Sequence, residues 1–465
     1  MDTNTLNVKN KRKEQDSMGQ VYVETDKLWG AQTQRSLTNF AIGNYKMPAE
    51  IIKAIILVKK CCANANSFLG QIDKAKAEAI DFACDKLLSD DALIAKHFPL
   101  VVWQTGSGTQ TNMNANEVIS RLCLTEKNIN VHPNDDVNKG QSTNDVFPTA
   151  MHIAASVLTY KNLLPSIAKL KDAFKRLGAK NGGVLKVGRT HLMDATPIYF
   201  EDEISAYCES LSDIEHQIQN SLEQLYKLPL GGTAVGTGLN AAEGFSSETV
   251  KLIRQQTGLP FKEEANKFFG LSLKNAVVAL NGVLSAYSTV LIKIANDLRF
   301  LSCGPNAGIN EISLPANEPG SSIMPGKVNP TQCEALIMVA CEVMGNDLTV
   351  KLAHTQGQLQ LNAAMPVMAF KTQESIRLLC DAVKSFCFNC VEGIKINTQA
   401  IQTNNDKNLM VATALTPKIG YEAAAQLVKT AYQNKKSLKE VALKCGLLTE
   451  EEYDTLIFNS AKKNN

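Results

Sequence analysis

The sequence has almost no net charge. Its 465 residues carry 48 Lys+Arg against 46 Asp+Glu, a balance of +2. That argues against nucleic acid or a membrane surface as the main partner. The 12 cysteines show no regular spacing, and the first residues contain no apolar h-region. Both point to reduced thiols in a cytoplasmic protein without a secretory signal. Asp2, Glu14 and Asp16 speak against a transit peptide, and the polar stretch up to Ser17 reads as a flexible tail. The lone C-x-x-C, Cys387-Phe388-Asn389-Cys390, lacks further ligands at zinc spacing, so no metal is expected there. Two-residue alternation is scarce; a short β ribbon near Val21-Tyr22-Val23 is the one strand signal. No internal repeat is found.

Helical periodicity fills the gap. Ile51, Ile55, Val58, Cys62, Ala65 and Leu69 recur at helical spacing after Pro48 and stop at Gly70. Leu163, Ile167, Leu170, Phe174 and Leu177 repeat the pattern up to Gly178. Leu280, Leu284, Tyr287, Leu291, Ile294, Leu298 and Leu301 do so before Gly304. The fold class is mainly α. The segment Asn275 to Ile292 carries no charge, and a helix apolar all round must be buried on most faces. Its Asn275, Asn281, Ser285, Ser288 and Thr289 speak against a membrane span, so a multi-subunit helix bundle is expected. The loop before Gln141 and the polar stretch Asn397 to Asn408 divide the chain into three domains, 1–140, 141–398 and 399–465.

Chemistry concentrates in Gly320-Ser321-Ser322-Ile323-Met324-Pro325-Gly326-Lys327-Val328-Asn329-Pro330. Asn329 reads as an N-cap, Pro330 as the first helical residue and Gln332 as the capping-box position. A helix N-terminus beside Lys327 favours a carboxylate, with a hydroxyl next to it. Three other stretches are equally polar. Gly106-Ser107-Gly108-Thr109-Gln110-Thr111-Asn112 reads alone as a glycine loop with capping or as a binding loop. His132-Pro133-Asn134-Asp135-Asp136 through Gln141-Ser142-Thr143-Asn144-Asp145 is too polar for core and runs into a helix. Gly188-Arg189-Thr190-His191-Leu192-Met193-Asp194 flanks one histidine with groups able to hold it by hydrogen bonds. Glu334, in the first turn after Pro330, can complement the helix dipole.

These stretches resemble the motifs of the aspartase/fumarase superfamily, over nearly the whole chain from about Ser17 to Leu456. The resemblance is to class II fumarases in particular. Histidine stands at 191 where aspartases typically have Gln, and Gly326 where they have Ala. Thr331-Gln332-Cys333-Glu334 is fumarase-like too. Gly357-Gln358-Leu359-Gln360-Leu361-Asn362 departs from that: it is closer to the aspartase pattern, which keeps aspartate ammonia-lyase as the alternative. The resemblance implies a three-domain fold whose central long-helix bundle builds a homotetramer. It implies reversible hydration of fumarate to (S)-malate through an aci-carboxylate, as in the tricarboxylic acid cycle, with no cofactor. Ser321, His191 and Glu334 are then catalytic. Ser107, Gly108, Thr109, Ser142, Thr143, Asn144, Thr190, Ser322, Lys327 and Asn329 contact the dicarboxylate. His132, Pro133, Asn134 and Asp135 form a secondary anion site, although Asn128-Ile129-Asn130 stand where fumarases often carry basic residues. Each active site is shared between subunits. A helical run from Asn144 to about Leu177, kinked at Pro165, is about 45 Å long at 1.5 Å per residue, too far for one chain's second and third motifs to meet.

Overall fold

The structure, a computed structural model, describes residues 10–461. Helices dominate, and the strands among the described residues form only two-stranded pairs. The fold is mainly α, as expected. The chain packs as two compact units. One comprises the chain to Leu164 with His216–Ala286 and Glu342–Leu379; the other comprises Pro165–Glu215, Tyr287–Cys341 and Cys380–Asn465.

In the first unit the helix Ala49–Phe68 is central. It packs against the helices Lys74–Ser89, Thr143–Leu158 and Phe245–Thr257. Ile51, Ile55, Val58, Cys62 and Ala65 are buried as their spacing predicts, and so are Ile52 and Ile56. The helix is enclosed on nearly every side because three neighbours surround it. Gly70 stops the run with φ +68°, a conformation that costs glycine little. A π-helical turn, Thr159–Leu163, precedes Pro165, whose ring has no N–H to give to the turn before it. The next helix then runs Leu164–Lys180, past the expected stop at Gly178.

The polar start departs from expectation. Lys11–Asp16 is a strand paired antiparallel with Gly19–Glu24, Lys11 opposite Glu24, so the expected ribbon has a partner and the expected tail is structured from Lys11. Side-chain chemistry accounts for this. Arg12 donates to Glu14 Oε1 at 2.6 Å and to the carbonyls of Lys27 and Trp29, while Arg35 grips Asp16 at 2.8 Å. Periodicity cannot reveal a strand stabilised by its charges. The rest of the expected tail lies outside the described residues.

The helix Asn275–Leu301 forms as expected. Length and composition alone would let it cross a membrane, and 44% of its apolar window is buried. Leu280, Leu284, Tyr287 and Leu291 line the buried side. Asn281 sits among them, its amide N–H groups donating to Val277 O and Thr372 Oγ1 while its carbonyl oxygen has no partner among the described residues.

In the second unit the hairpin Leu185–Thr190/Met193–Tyr199 packs on the helix Thr398–Lys407, where the polar stretch from Asn397 was read as a boundary. Asn405 donates to Leu185 O and Asn408 to Ala195 O, tying both strands down. The C-terminal helices Ala412–Ile419, Tyr421–Asn434, Leu438–Lys444 and Glu450–Ser460 enclose a core of their own around Leu415, Leu427, Ala431 and Ala442.

Candidate active site

Backbone geometry shapes the first two motifs, both in the first unit. Gly106 packs so closely that a Cβ there would lie 1.5 Å from Ala363 O. Gly108 has φ +79°, and a Cβ would lie 2.3 Å from Phe147. These glycines let Ser107 and Thr109 sit at the mouth of the helix Thr109–Lys127, their hydroxyls 2.8 Å apart. Ser142 caps the helix Thr143–Leu158 in a capping box with Asp145. Asp145 is fully buried and also accepts N–H groups from Gly231 and Thr233, both at 2.9 Å. Burial pushes its carboxyl above the ordinary carboxylate range, against the pull of those N–H groups and that of Ser142. Asn144 donates to Ala234 O at 2.8 Å, which orients its amide.

His132 caps the π-helical turn Pro133–Val137. Its Nδ1 accepts from the N–H groups of Asn134 and Asp135 and lies 3.2 Å from Asp135 Oδ2. A cleft of about 540 Å³ opens beside it, lined by Glu14, Asp16, Glu117, Arg121, Asn130 and Asn134 among others. Its carboxylates are engaged: Glu14 with Arg12, Asp16 with Arg35, and Glu117 with N–H groups at the start of the helix Ala31–Asn39. Arg121 makes no ion pair among the described residues.

The other two motifs lie in the second unit. The signature loop closes on itself at its neck. Gly320 N donates to Lys327 O at 2.9 Å, and a Cβ on Gly320 would lie 2.2 Å from that oxygen. Asn329 is not the helix cap expected of it; its amide donates to Gly320 O and bolts the neck. The helix begins at Thr331, with Pro330 ahead of it accepting from Glu334 N. Gln332 does not complete a capping box; its carbonyl accepts from Ser385 Oγ at 2.8 Å. Within the loop, Ser321 Oγ accepts from Ile323 N at 3.2 Å and Met324 N at 2.9 Å. Lys327 is exposed and makes no ion pair among the described residues.

Thr190 ends one strand of the hairpin, and His191 and Leu192 form its two-residue turn. Both have positive φ, +56° and +63°, the type I′ geometry that normally recruits Asn-Gly. Each such residue costs on the order of 1–3 kcal/mol. The imidazole is exposed, and no described residue holds it by a hydrogen bond. Arg189 does not support it as expected. Its guanidinium reaches Glu311 Oε1 at 2.6 Å instead. Glu334 is exposed and does not bond His191 within the chain.

Glu311 escaped the sequence reading. It is fully buried and receives Arg189, Lys186 (3.3 Å) and Asn404 (3.2 Å), which anchors the strand leading to His191. Burial alone would raise its carboxyl, but the Arg189 hydrogen bond and the charges of Lys186 and Arg189 hold it below the ordinary value. Nothing local marks it, because its partners come from distant stretches. Lys59 was missed as well, although a lysine on the stripe Ile52, Ile55, Cys62 was a visible signal. Among the described residues no group of three or more His, Cys, Asp or Glu could hold a metal ion. Cys390 of the C-x-x-C pairs with Cys333 through a hydrogen bond.

The first unit presents loops rich in hydroxyls and amides at helix starts, and the second unit exposes a lysine in its signature loop. Residues 19–345 match the family described as Lyase, and 411–458 match the fumarase C C-terminus. The chain is 50% identical over 449 residues to a class II fumarate hydratase of Pseudomonas aeruginosa, covering 95% of this chain and 96% of that one. It is 47% identical over 447 residues to that of Listeria monocytogenes, covering 96% and 98%. A crystal structure of class II fumarase from Schistosoma mansoni superposes with a TM-score of 0.93 at 41% identity, covering 98% of this chain and all of that one. The chain belongs to the class II fumarate hydratase family and is a hydro-lyase. The aspartase-like residues Gln358, Leu359 and Gln360 occupy an exposed hairpin tip between Gly357 and the buried Asn362.

The Glu311 network yields a stability test. Glu311→Gln leaves Arg189 and Lys186 short of a buried countercharge, a loss of about 3–5 kcal/mol at pH 7. A lowered carboxyl stabilises the fold fully above its ordinary pKa and loses that effect as pH falls through the lowered value. The deficit in urea unfolding should therefore shrink in acid, below pH about 4. A variant equal to the parent at pH 7, or a gap that widens in acid, would contradict the network's role.

Proposed function

We propose that this chain hydrates fumarate reversibly to (S)-malate. The observation that carries this is the Ser321 oxygen, held by two backbone N–H groups in the loop that also presents Lys327. A serine hydroxyl is a poor base, and donors aimed at its oxygen favour the ionised form. Ser321 takes the C3 proton of malate. Removing a C–H beside a carboxylate loads that carboxylate with charge, an aci-carboxylate, so donors must already face it. Lys327, Asn329 through its second N–H, Thr190, Ser322 and the loops Ser107–Thr109 and Ser142–Asn144 supply them. On the opposite side His191, tuned by Glu334, acts through the water that leaves or attacks C2. The strained turn supports this role, since strain of that kind collects at functional sites.

The site draws on several chains of a homotetramer. His191, Glu334 and Lys327 are all exposed in one chain, and covering them calls for a neighbour. The helix Thr331–His354 supports assembly through an exposed apolar stripe, Met338 (67% exposed), Cys341, Leu348 (59%) and Leu352 (60%), whose helical spacing keeps them on one face. The division into 1–140, 141–398 and 399–465 is proposed with it, supported by the separate core of the C-terminal helices. A cytoplasmic location is supported by twelve free cysteines. His132, Pro133, Asn134 and Asp135 are proposed to form the secondary anion site, with Arg121 in the adjoining cleft supplying the cation missing from Asn128–Asn130.

Turnover decides the substrate. Purified protein should form fumarate from malate, read at 240–250 nm, and release little ammonia from aspartate. Comparable or faster turnover of aspartate would overturn the assignment in favour of the aspartase alternative.

Subunit sharing has its own test. Asn144→Ala and His191→Ala should each be nearly inactive. Unfolded together and refolded, the mixture should regain up to roughly a quarter of parental activity, because some tetramers then own intact sites. Mixed tetramers by mass with no regained activity would exclude shared sites.

A further inference from the structure

Lys59 lies in the middle of the helix Ala49–Phe68, with its side chain fully buried. Its ammonium donates to Asn138 Oδ1 at 2.7 Å and Gln141 Oε1 at 2.9 Å, and it makes no ion pair among the described residues. Asn138 Oδ1 is a hub. It also accepts from Asn112 and Asn116, both at 3.2 Å, on the helix that Thr109 opens. Asn138 donates to Gln141 O at 3.2 Å, and Gln141 donates to Val137 O at 3.0 Å and Lys139 O at 3.2 Å. The turn that ends at Ser142 is thus fastened from inside by one cation. The same fastening reaches the helix carrying Ser107 and Thr109 at its mouth. Burying a charge with only amide partners is expensive, and an apolar side chain would fill the space at lower cost. A lysine here is understandable if it orders what lies above it.

We propose that Lys59 is a positioning residue for substrate binding, holding the loop Ser142–Asn144 in register with the loop Ser107–Thr109 through Asn138 and Gln141. It rests on those loops touching the dicarboxylate. Thr109 opens one helix and Thr143 and Asn144 the other, with Ser142 as its cap, so the cross-link sets the two helix starts relative to each other. Burial holds the Lys59 ammonium down to about 8, eased by the charge of Asp145 on the helix Thr143–Leu158; the thiols of Cys62 on its own helix and Cys84 on the helix Lys74–Ser89 also face it, and burial pushes both well up, which keeps them neutral. Lys267 in turn faces Asp145. Above that pH the group is a neutral amine, a weaker donor to both carbonyl oxygens.

The test is Lys59→Met in the full chain. Steady-state kinetics with malate should show KM raised about tenfold or more with kcat within about threefold, the pattern of lost ground-state binding. The parent's KM should climb as pH rises through about 8 and the variant's should not. Hydrogen exchange of the peptide spanning residues 138–144 should quicken about tenfold or more in the variant. Unchanged exchange there, or a folded variant with the parent's KM at every pH, overturns the proposal. If Lys59→Met does not fold, Asn138→Ala removes the hub from the loop side and carries the same expectations. A parent that fails to act on malate refutes the hydratase assignment, whereas the exchange measurement still decides whether Lys59 orders the loop.

Discussion

One buried carboxylate organises the part of the molecule that carries its histidine. Glu311 has no exposure, and in a low-dielectric interior it persists as an anion only because Arg189 and Lys186 meet it. Arg189 lies on the strand Leu185–Thr190, two residues before His191 in the turn. Lys186 also meets Glu203 at 3.0 Å, which ties the strand to the following helix Phe200–Leu225. A strand anchored so firmly can support a turn that is strained at both His191 and Leu192. The chain thus anchors the strand beneath His191 and leaves its imidazole exposed, with no hydrogen bond to the ring among the described residues.

The signature loop solves a different problem by similar means. It must present a hydroxyl, a cation and an amide to solvent without collapsing onto them. The neck formed by Gly320, Lys327 and Asn329 uses backbone groups and one side-chain amide. That leaves the Lys327 ammonium free. Thr331 reinforces the neck by donating to Glu318 at 2.5 Å. In the first unit, the capping box at Ser142 and the buried Asp145 give the second motif comparable rigidity. In the proposed mechanism, charge stabilisation is assembled from neutral dipoles and one lysine, aimed before the reaction begins.

Much of this was legible in the sequence. The long helices follow from apolar spacing, because burial along a helix leaves a periodic trace in every turn. The four motifs are visible since glycine, hydroxyl and amide residues rarely crowd together for packing alone. Other features were hidden because they depend on partners far along the chain. Asn329 looked like a cap on local grounds, yet the carbonyl of Gly320 competes for its amide and wins. Gln332 was claimed by Ser385 on another helix. The strand Lys11–Asp16 has no apolar residue to alternate, so its order rests on Arg12 and Arg35 bonds that no window reveals. Glu311 carries no local mark at all. Lys59 did carry one, a cation on an apolar stripe, which signals a buried polar network.

The central claim is addition of water across a double bond by two groups acting from opposite faces, Ser321 on the carbon-bound proton and His191 on the water. The most direct measurement is proton NMR of malate formed from fumarate in D₂O by the purified protein. The account predicts one deuterium at C3 and a single diastereomer, the product of anti addition. Malate carrying deuterium in both diastereomeric positions at C3, or no malate at all, would contradict it.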